Sequence, residues 1–178
     1  MSTTALEQFI QRTRANWGPL SSELVDDSRQ ALAALAGADP SEPWLAALHR
    51  DAPARRELVR DPTHGFVLLA HTEPEGLYRS PHDHGRGWVV YAVQRGEVVM
   101  STYARVEDDA GVALIKRDER VLRAGQAQLF LPGDVHDTRS VSGSALLFRF
   151  ASTDLERESA ERRLTRFVER DGRWRAPT

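Results

Sequence analysis

The chain has 178 residues, 40% of them hydrophobic and 28% charged, with a formal charge of −2 from 24 basic and 26 acidic side chains. That length suits one domain with a core of its own, and the near balance of charge provides no global field for nucleic acid. With no cysteine, the chain cannot form a disulfide, a thiolate zinc site, an iron–sulfur cluster or a cysteine nucleophile.

The opening segment, MSTTALEQFIQRT, has neither the basic flank nor the apolar core of a signal peptide. No run approaches the roughly 20 apolar residues of a membrane span. The expectation is a cytoplasmic protein with a small-molecule substrate, no nucleic-acid or membrane partner, and a monomeric or homodimeric state. Of the 24 basic residues only Lys116 is lysine, which reads as the coding bias of a GC-rich genome.

Residues 1–62 read as a helical segment packed on the rest of the domain. Leu6, Phe9, Ile10, Thr13 and Trp17 recur at helical spacing until Gly18-Pro19. Ser21 or Ser22 is placed to cap a second helix carrying Leu24, Ala31, Leu32 and Leu35, with Gly37 at its end. A third helix is expected near Ser41, with Pro43 in its first turn and Trp44, Leu45 and Leu48 on its apolar side.

Residues 63–178 change texture. FVLLAH (66–71), GWVVYAV (87–93), EVVMSTYARV (97–106), GVALIKRDERVL (111–122), QAQLFL (126–131) and SALLFRF (144–150) are short and rich in β-branched and aromatic residues, with turn residues between them. Many short strands so punctuated predict an antiparallel sandwich or barrel. The tail returns to helix near Asp154–Arg163, and 164–175 reads as a hairpin turning at Asp171-Gly172.

The chemistry is carried by histidine. His82 and His84, in SPHDHGRGW, point to one face if their backbone is extended. His136, in LFLPGDVHD, comes directly after a strand, where a turn can bring it across the barrel. Three imidazoles with open positions around the ion describe a reactive metal site. Gly76 stands six residues before His82, Gly96 closes the next strand, and a second block reads Gly125, Pro132, Gly133, His136.

These two blocks resemble the cupin superfamily, which implies a mainly β fold: a single jelly-roll-like β-barrel, or double-stranded β-helix. Gly76, His82, His84 and Gly96 fit the first block without a gap, but its glutamate position falls on Val89. The second block carries its glycine one place early, and Ser140 stands where the family has asparagine. The site is then three neutral histidines: His82, His84 and His136. An ion held this way keeps its double positive charge and attracts anions.

Within the superfamily the chain resembles the cysteine dioxygenase-like thiol dioxygenases, which share the helical N-terminal part and the His-Asp-His block. The resemblance implies Fe(II), dioxygen and oxidation of a small anionic thiol to its sulfinate; zinc, nickel and manganese are the alternative ions. It places the substrate-binding arginine on Arg56, with Arg55 the candidate if the alignment slips by one, and matches Phe66 to an aromatic. The family's Ser-His-Tyr relay falls on Leu147, Arg149 and Ala151 and is therefore missing. The rival readings are a carbon–carbon-cleaving dioxygenase, lyase or isomerase at the same metal, and a non-catalytic ligand-binding cupin.

Arg149 is a second substrate-binding candidate. The family alignment places it inside the barrel, whereas the alternation of Leu146, Phe148 and Phe150 places it outside. Tyr91 lies two residues beyond Val89, shares its face, and is the candidate catalytic hydroxyl; Trp88 should face the other way. Gln128 can point either way. His49, His64 and His71 read as surface or capped histidines, and Glu73 and Glu75 as a solvated loop. Asp134 or Asp137 is placed to orient the His136 imidazole.

Overall fold

The computed structural model describes residues 3–177. Three helices open the chain: α1 (Ala5–Asn16), α2 (Ser22–Ala36) and α3 (Pro43–Asp51). Thr4 and Glu7 close a reciprocal capping box at the start of α1, and Ser21 caps α2. Each cap satisfies amide donors that the first turn leaves free. Eleven strands and one further helix make up the remainder: β1 (Arg56–Arg60), β2 (Val67–Glu73), β3 (Tyr78–His82), β4 (Val89–Arg95), β5 (Glu97–Asp108), β6 (Gly111–Arg123), β7 (Ala127–Phe130), β8 (Val135–Ser140), β9 (Ala145–Ala151), α4 (Leu155–Ala160), β10 (Val168–Arg170) and β11 (Arg173–Arg175).

The strands form two antiparallel sheets, ordered β1-β2-β9-β4-β7 and β10-β11-β6-β5-β8-β3. The eight strands β2 to β9 are divided four and four between the sheets, in the orders β2-β9-β4-β7 and β6-β5-β8-β3 of a double Greek-key jelly roll, so the expected barrel is present. Strand β1, placed by the sequence in the helical segment, pairs with β2 at the edge of the first sheet.

The central strands of the first sheet, β2, β9 and β4, are buried on both faces. Leu68, Ala70, Val90, Ala92, Leu146, Phe148 and Phe150 pack against the three helices. Val89, Tyr91, Val93, Ala145, Leu147 and Ala151 face inward with Val98, Met100 and Leu122 of the second sheet. A strand covered on both sides has no polar face to reveal its register, which is why 144–150 reads as a nearly unbroken apolar run. The inference that Leu146, Phe148 and Phe150 leave Arg149 outside is corrected: those three face the helices, and Arg149 shares the barrel-facing side with Leu147 and Ala151.

Strands β3 and β8 have no hydrophobic signature. Strand β3, YRSPH, takes its proline at a register irregularity on a sheet edge, where a missing amide donor is tolerated. Strand β8, VHDTRS, is buried along most of its length despite its polarity. Asp137 makes that burial tolerable by accepting the Tyr103 hydroxyl at 2.6 Å, the Tyr78 hydroxyl at 3.0 Å and the Ser101 amide at 3.0 Å, since a buried polar group is costly only when unpaired.

Gly96, between β4 and β5, has φ +82°, and a Cβ there would lie 3.0 Å from both Cα and Cβ of Ala145. Gly96→Ala should therefore cost roughly 1–3 kcal/mol and lower the thermal midpoint by at least about 3 °C for a chain of this size. An unchanged midpoint in a thermal melt would contradict that packing.

Candidate metal centre

His82 ends β3, His84 lies two residues on in the loop to β4, and His136 is the second residue of β8. His82 and His136 are register partners across the β3–β8 pair, so strand pairing alone brings two rings together. Ring centroids lie 4.7 Å apart for His82 and His136, 5.0 Å for His84 and His136, and 5.3 Å for His82 and His84. One ring nitrogen from each comes within 4.8 Å of the other two. The structure thus gathers the three histidines singled out by the sequence, all buried.

Their chemistry fits a metal. Desolvation holds all three below the ordinary value of 6.5, His84 down to about 2, so each is a neutral imidazole, the form that ligates. His82 Nδ1 lies 2.8 Å from the Ser80 carbonyl. That carbonyl can only accept, so Nδ1 carries the proton and the Nε2 lone pair is free. His84 Nε2 and His136 Nε2 are 3.2 Å apart, within the roughly 3.0–3.4 Å separating neighbouring nitrogens around an ion with bonds near 2.0–2.1 Å. Phe130 stacks on His136 at 3.9 Å and fixes the ring plane.

The residue between the first two histidines is a tether. Asp83 is buried and pairs with Arg105 at 2.7 Å. Its other oxygen accepts the Gly85 amide at 3.1 Å and the Thr165 amide at 2.9 Å. Residues 163–167 run beside the end of β3 as a strap: the Asp83 amide donates to the Thr165 carbonyl, the Phe167 amide donates to the Pro81 carbonyl, and Arg166 bridges His82. Gly85 lets the loop approach it, because at φ +63° a Cβ would meet Glu158 Oε2 at 2.5 Å and the Arg163 carbonyl at 3.2 Å.

A cavity of about 500 Å³ opens over this cluster. His82 and His84 reach it from below, and the strap with α4 contributes Leu155, Leu164 and Arg166. Arg55, Arg79, Arg149, His71 and Glu156 also line its walls. Arg55 pairs with Glu156 at 2.6 Å, and Arg79 with the buried Glu73 at 2.8 Å. Among the described residues, Arg149 and Arg166 have no carboxylate partner, and Arg149 Nε is buried without a hydrogen bond.

Arg56 is not in the cavity wall. It pairs in register with Ala70, whose side chain lies in the helix-facing core, so Arg56 is on the outer side of the sheet and donates to Asp51 at 3.0 Å. Its neighbour Arg55 is the one that lines the cavity. Val89 is fully buried among apolar neighbours and supplies no carboxylate. Tyr91 is buried on the same face, its hydroxyl 3.3 Å from His84 Nε2. Burial raises its pKa and keeps that hydroxyl protonated. Trp88 packs on the helix side as expected, and Gln128, across from Tyr91, has a buried unpaired carbonyl oxygen.

Three lesser expectations are corrected. His71 is buried in the cavity wall, not at the surface, with Nε2 unpaired; His49 meets Gln94 at 2.7 Å and His64 stacks on Phe66, as peripheral histidines do. Glu73 is a buried strand residue, not part of a solvated loop. Asp134 accepts the Leu131 amide in its turn, and Asp137 serves the tyrosines of the second sheet, so neither carboxylate is spent on the His136 ring.

No protein-family model matches the chain, and no curated protein does. Among solved structures it is similar to the cupin domain of Cnp3 from Schizosaccharomyces pombe at 9% identity and TM-score 0.45, over 60% of this chain and 69% of that one. It is also similar to oxalate oxidase in complex with the substrate analogue glycolate at 24% identity and TM-score 0.45, over 56% of this chain and 50% of that one. KdgF from Halomonas sp. matches at 17% identity and TM-score 0.43, over 56% of this chain and 78% of that one. The chain spans half the length of the oxalate oxidase. The jelly-roll assignment rests on strand order alone.

Two outcomes test the site. The purified protein should bind about one divalent ion per chain by elemental analysis, and His136→Ala should bind none while keeping its far-ultraviolet spectrum. The second concerns His71, which desolvation, with Arg149 and Arg79 adding to it, holds at about 3 against an ordinary 6.5. Below pH 6.5 the unfolded chain takes up a proton that folded His71 refuses, so stability falls as pH drops from 6.5 towards 3. In urea titrations of metal-free protein, His71→Gln should reduce the stability lost between pH 7 and pH 5 by about 2 kcal/mol.

Proposed function

We propose that this protein is a metal-dependent cupin enzyme, an Fe(II) dioxygenase that oxidises a small anionic thiol to its sulfinate. The observation that carries the reading is three buried, neutral histidines, with no carboxylate beside them, under a cavity walled by arginine. Bound there, Fe(II) supplies a doubly positive centre with open positions for a thiolate and dioxygen together. In the overall reaction the thiol and one dioxygen become the sulfinic acid: both oxygen atoms end on sulfur, which gives up the four electrons that dioxygen takes.

The side chains have separate tasks. Arg149, on the barrel-facing side of β9, is placed to receive an acid group on its planar fork, while Arg55 beside it in the cavity wall is already paired with Glu156. Tyr91 holds a protonated hydroxyl next to His84 and donates a hydrogen bond to whatever occupies the centre. Phe130, Leu155 and Leu164 restrict water, which strengthens each charge interaction inside.

A second reading, carbon–carbon cleavage, lyase or isomerase chemistry at the same metal, is favoured by one observation. Arg149 stands where the thiol enzymes have a histidine, and with Leu147 and Ala151 beside it no Ser-His-Tyr relay can form. Anaerobic loading with Fe(II), then oxygen uptake with cysteine, 3-mercaptopropionate and mercaptosuccinate, separates the two. One sulfinate per dioxygen consumed is the expected result, with Arg149→Leu raising KM at least about tenfold. No uptake with any small thiol acid would overturn the dioxygenase reading, and tightly held zinc or nickel with no uptake would favour the second.

A further inference from the structure

The four cavity arginines are not equivalent. Arg55 is neutralised by Glu156 and Arg79 by Glu73, while Arg149 and Arg166 face the cavity with no carboxylate partner among the described residues. They stand on different walls. Arg149 belongs to β9 of the first sheet, and Arg166 to the strap that extends the second sheet beside His82. Both line the same cavity as His82 and His84. Two unpaired cations converging on one cavity repel each other, and the partly buried one, Arg149, leaves its Nε–H with no acceptor. Arg149, partly buried and unpaired, and Arg166, free at the mouth, are therefore both open to anionic groups entering the cavity.

The charges in the cavity set how much anion it takes. A metal held by three neutral histidines contributes two positive charges, and Arg149 with Arg166 contributes two more. A thiolate bearing one carboxylate would leave half of that total uncompensated inside the cavity. We infer that the substrate is a compact molecule with two acid groups, carboxylate or sulfonate, one held by Arg149 deep in the cavity and the other by Arg166 at its mouth. The inference deepens the functional reading and rests on it for the cavity being the substrate site. The role of Arg166 is specificity: it discriminates a diacid from a monoacid and takes no part in the reaction at the metal.

The test is calorimetric binding to the purified protein, which requires no turnover. Succinate and 3-sulfopropionate serve as diacid probes, with propionate as the monoacid. Both diacids should bind at least about tenfold more tightly than propionate. Arg166→Gln, at an exposed position, should weaken succinate by about tenfold and leave propionate within about twofold. Arg149→Met should weaken all three, with its fold checked by thermal melting. Arg95→Gln, which removes an exposed charge outside the cavity, should change none of them. Equal affinity for mono- and diacids overturns the inference, as does an Arg166→Gln effect of the same size on propionate and succinate. The two readings fail separately: uptake of oxygen with a monoacid thiol but no diacid preference sinks the substrate class alone, whereas diacid binding with no thiol oxidation sinks the dioxygenase and leaves the substrate class standing.

Discussion

The central strands of the first sheet have no solvent face, and much of the molecule depends on that. Because the helices cover one side with Phe148, Phe150 and their neighbours, the other side is free to depart from a purely apolar pattern. It spends that freedom on Tyr91, His71 and Arg149. A cationic side chain on an ordinary barrel wall would go out to water. Here the outward route is closed by a second core, so the arginine must look inward, and the cavity forms around it. The helical segment therefore acts on the chemistry at a distance, through the side of the sheet it occupies.

The second sheet solves a different problem, that of holding polar side chains in a dry place. His82 and His136 meet because β3 and β8 pair in register, and β8 remains buried because Asp137 collects three donors on the opposite side of the strand. One residue presents an imidazole to the histidine cluster and the next anchors the strand that carries it. A change at Asp137 would be felt at His136 through the backbone, without any contact between the two side chains.

These mechanisms decide what can be read from the residues alone. The helices, six of the strands and the terminal hairpin announce themselves through apolar period, caps and turns. His82, His84 and His136 announce themselves through spacing, because strand geometry converts short separations into convergence. Strands β3 and β8 are invisible to hydrophobic pattern, since they are held by hydrogen bonds between polar groups. Arg149 is ambiguous because alternation tells two faces apart but not which face is which when both are buried. Arg56 misses the cavity by one residue, and in a strand one residue is the difference between two sides. Arg166 leaves no local signal at all: it matters only because the strap returns across more than eighty residues to lie beside His82. The arginine excess, read as coding bias, hides the few that line the cavity.

The strap also has a bearing on time. Its backbone is tied to the Asp83 loop and to Pro81, Phe167 is sunk between Leu114 and Val135, and α4 is fastened through Glu158 to Arg86 and Arg163. A segment pinned at both ends does not swing as a lid. What guards the mouth of the cavity is the side chains the segment carries, Arg166 and Leu164, and exposed side chains reorient in picoseconds to nanoseconds where lids take microseconds to milliseconds. Entry to the cavity is then gated by rotamers and not by the backbone, and nuclear magnetic relaxation dispersion across residues 163–167 should be flat. A site built this way has no backbone closing step, so whatever enters it passes only the side chains at its mouth.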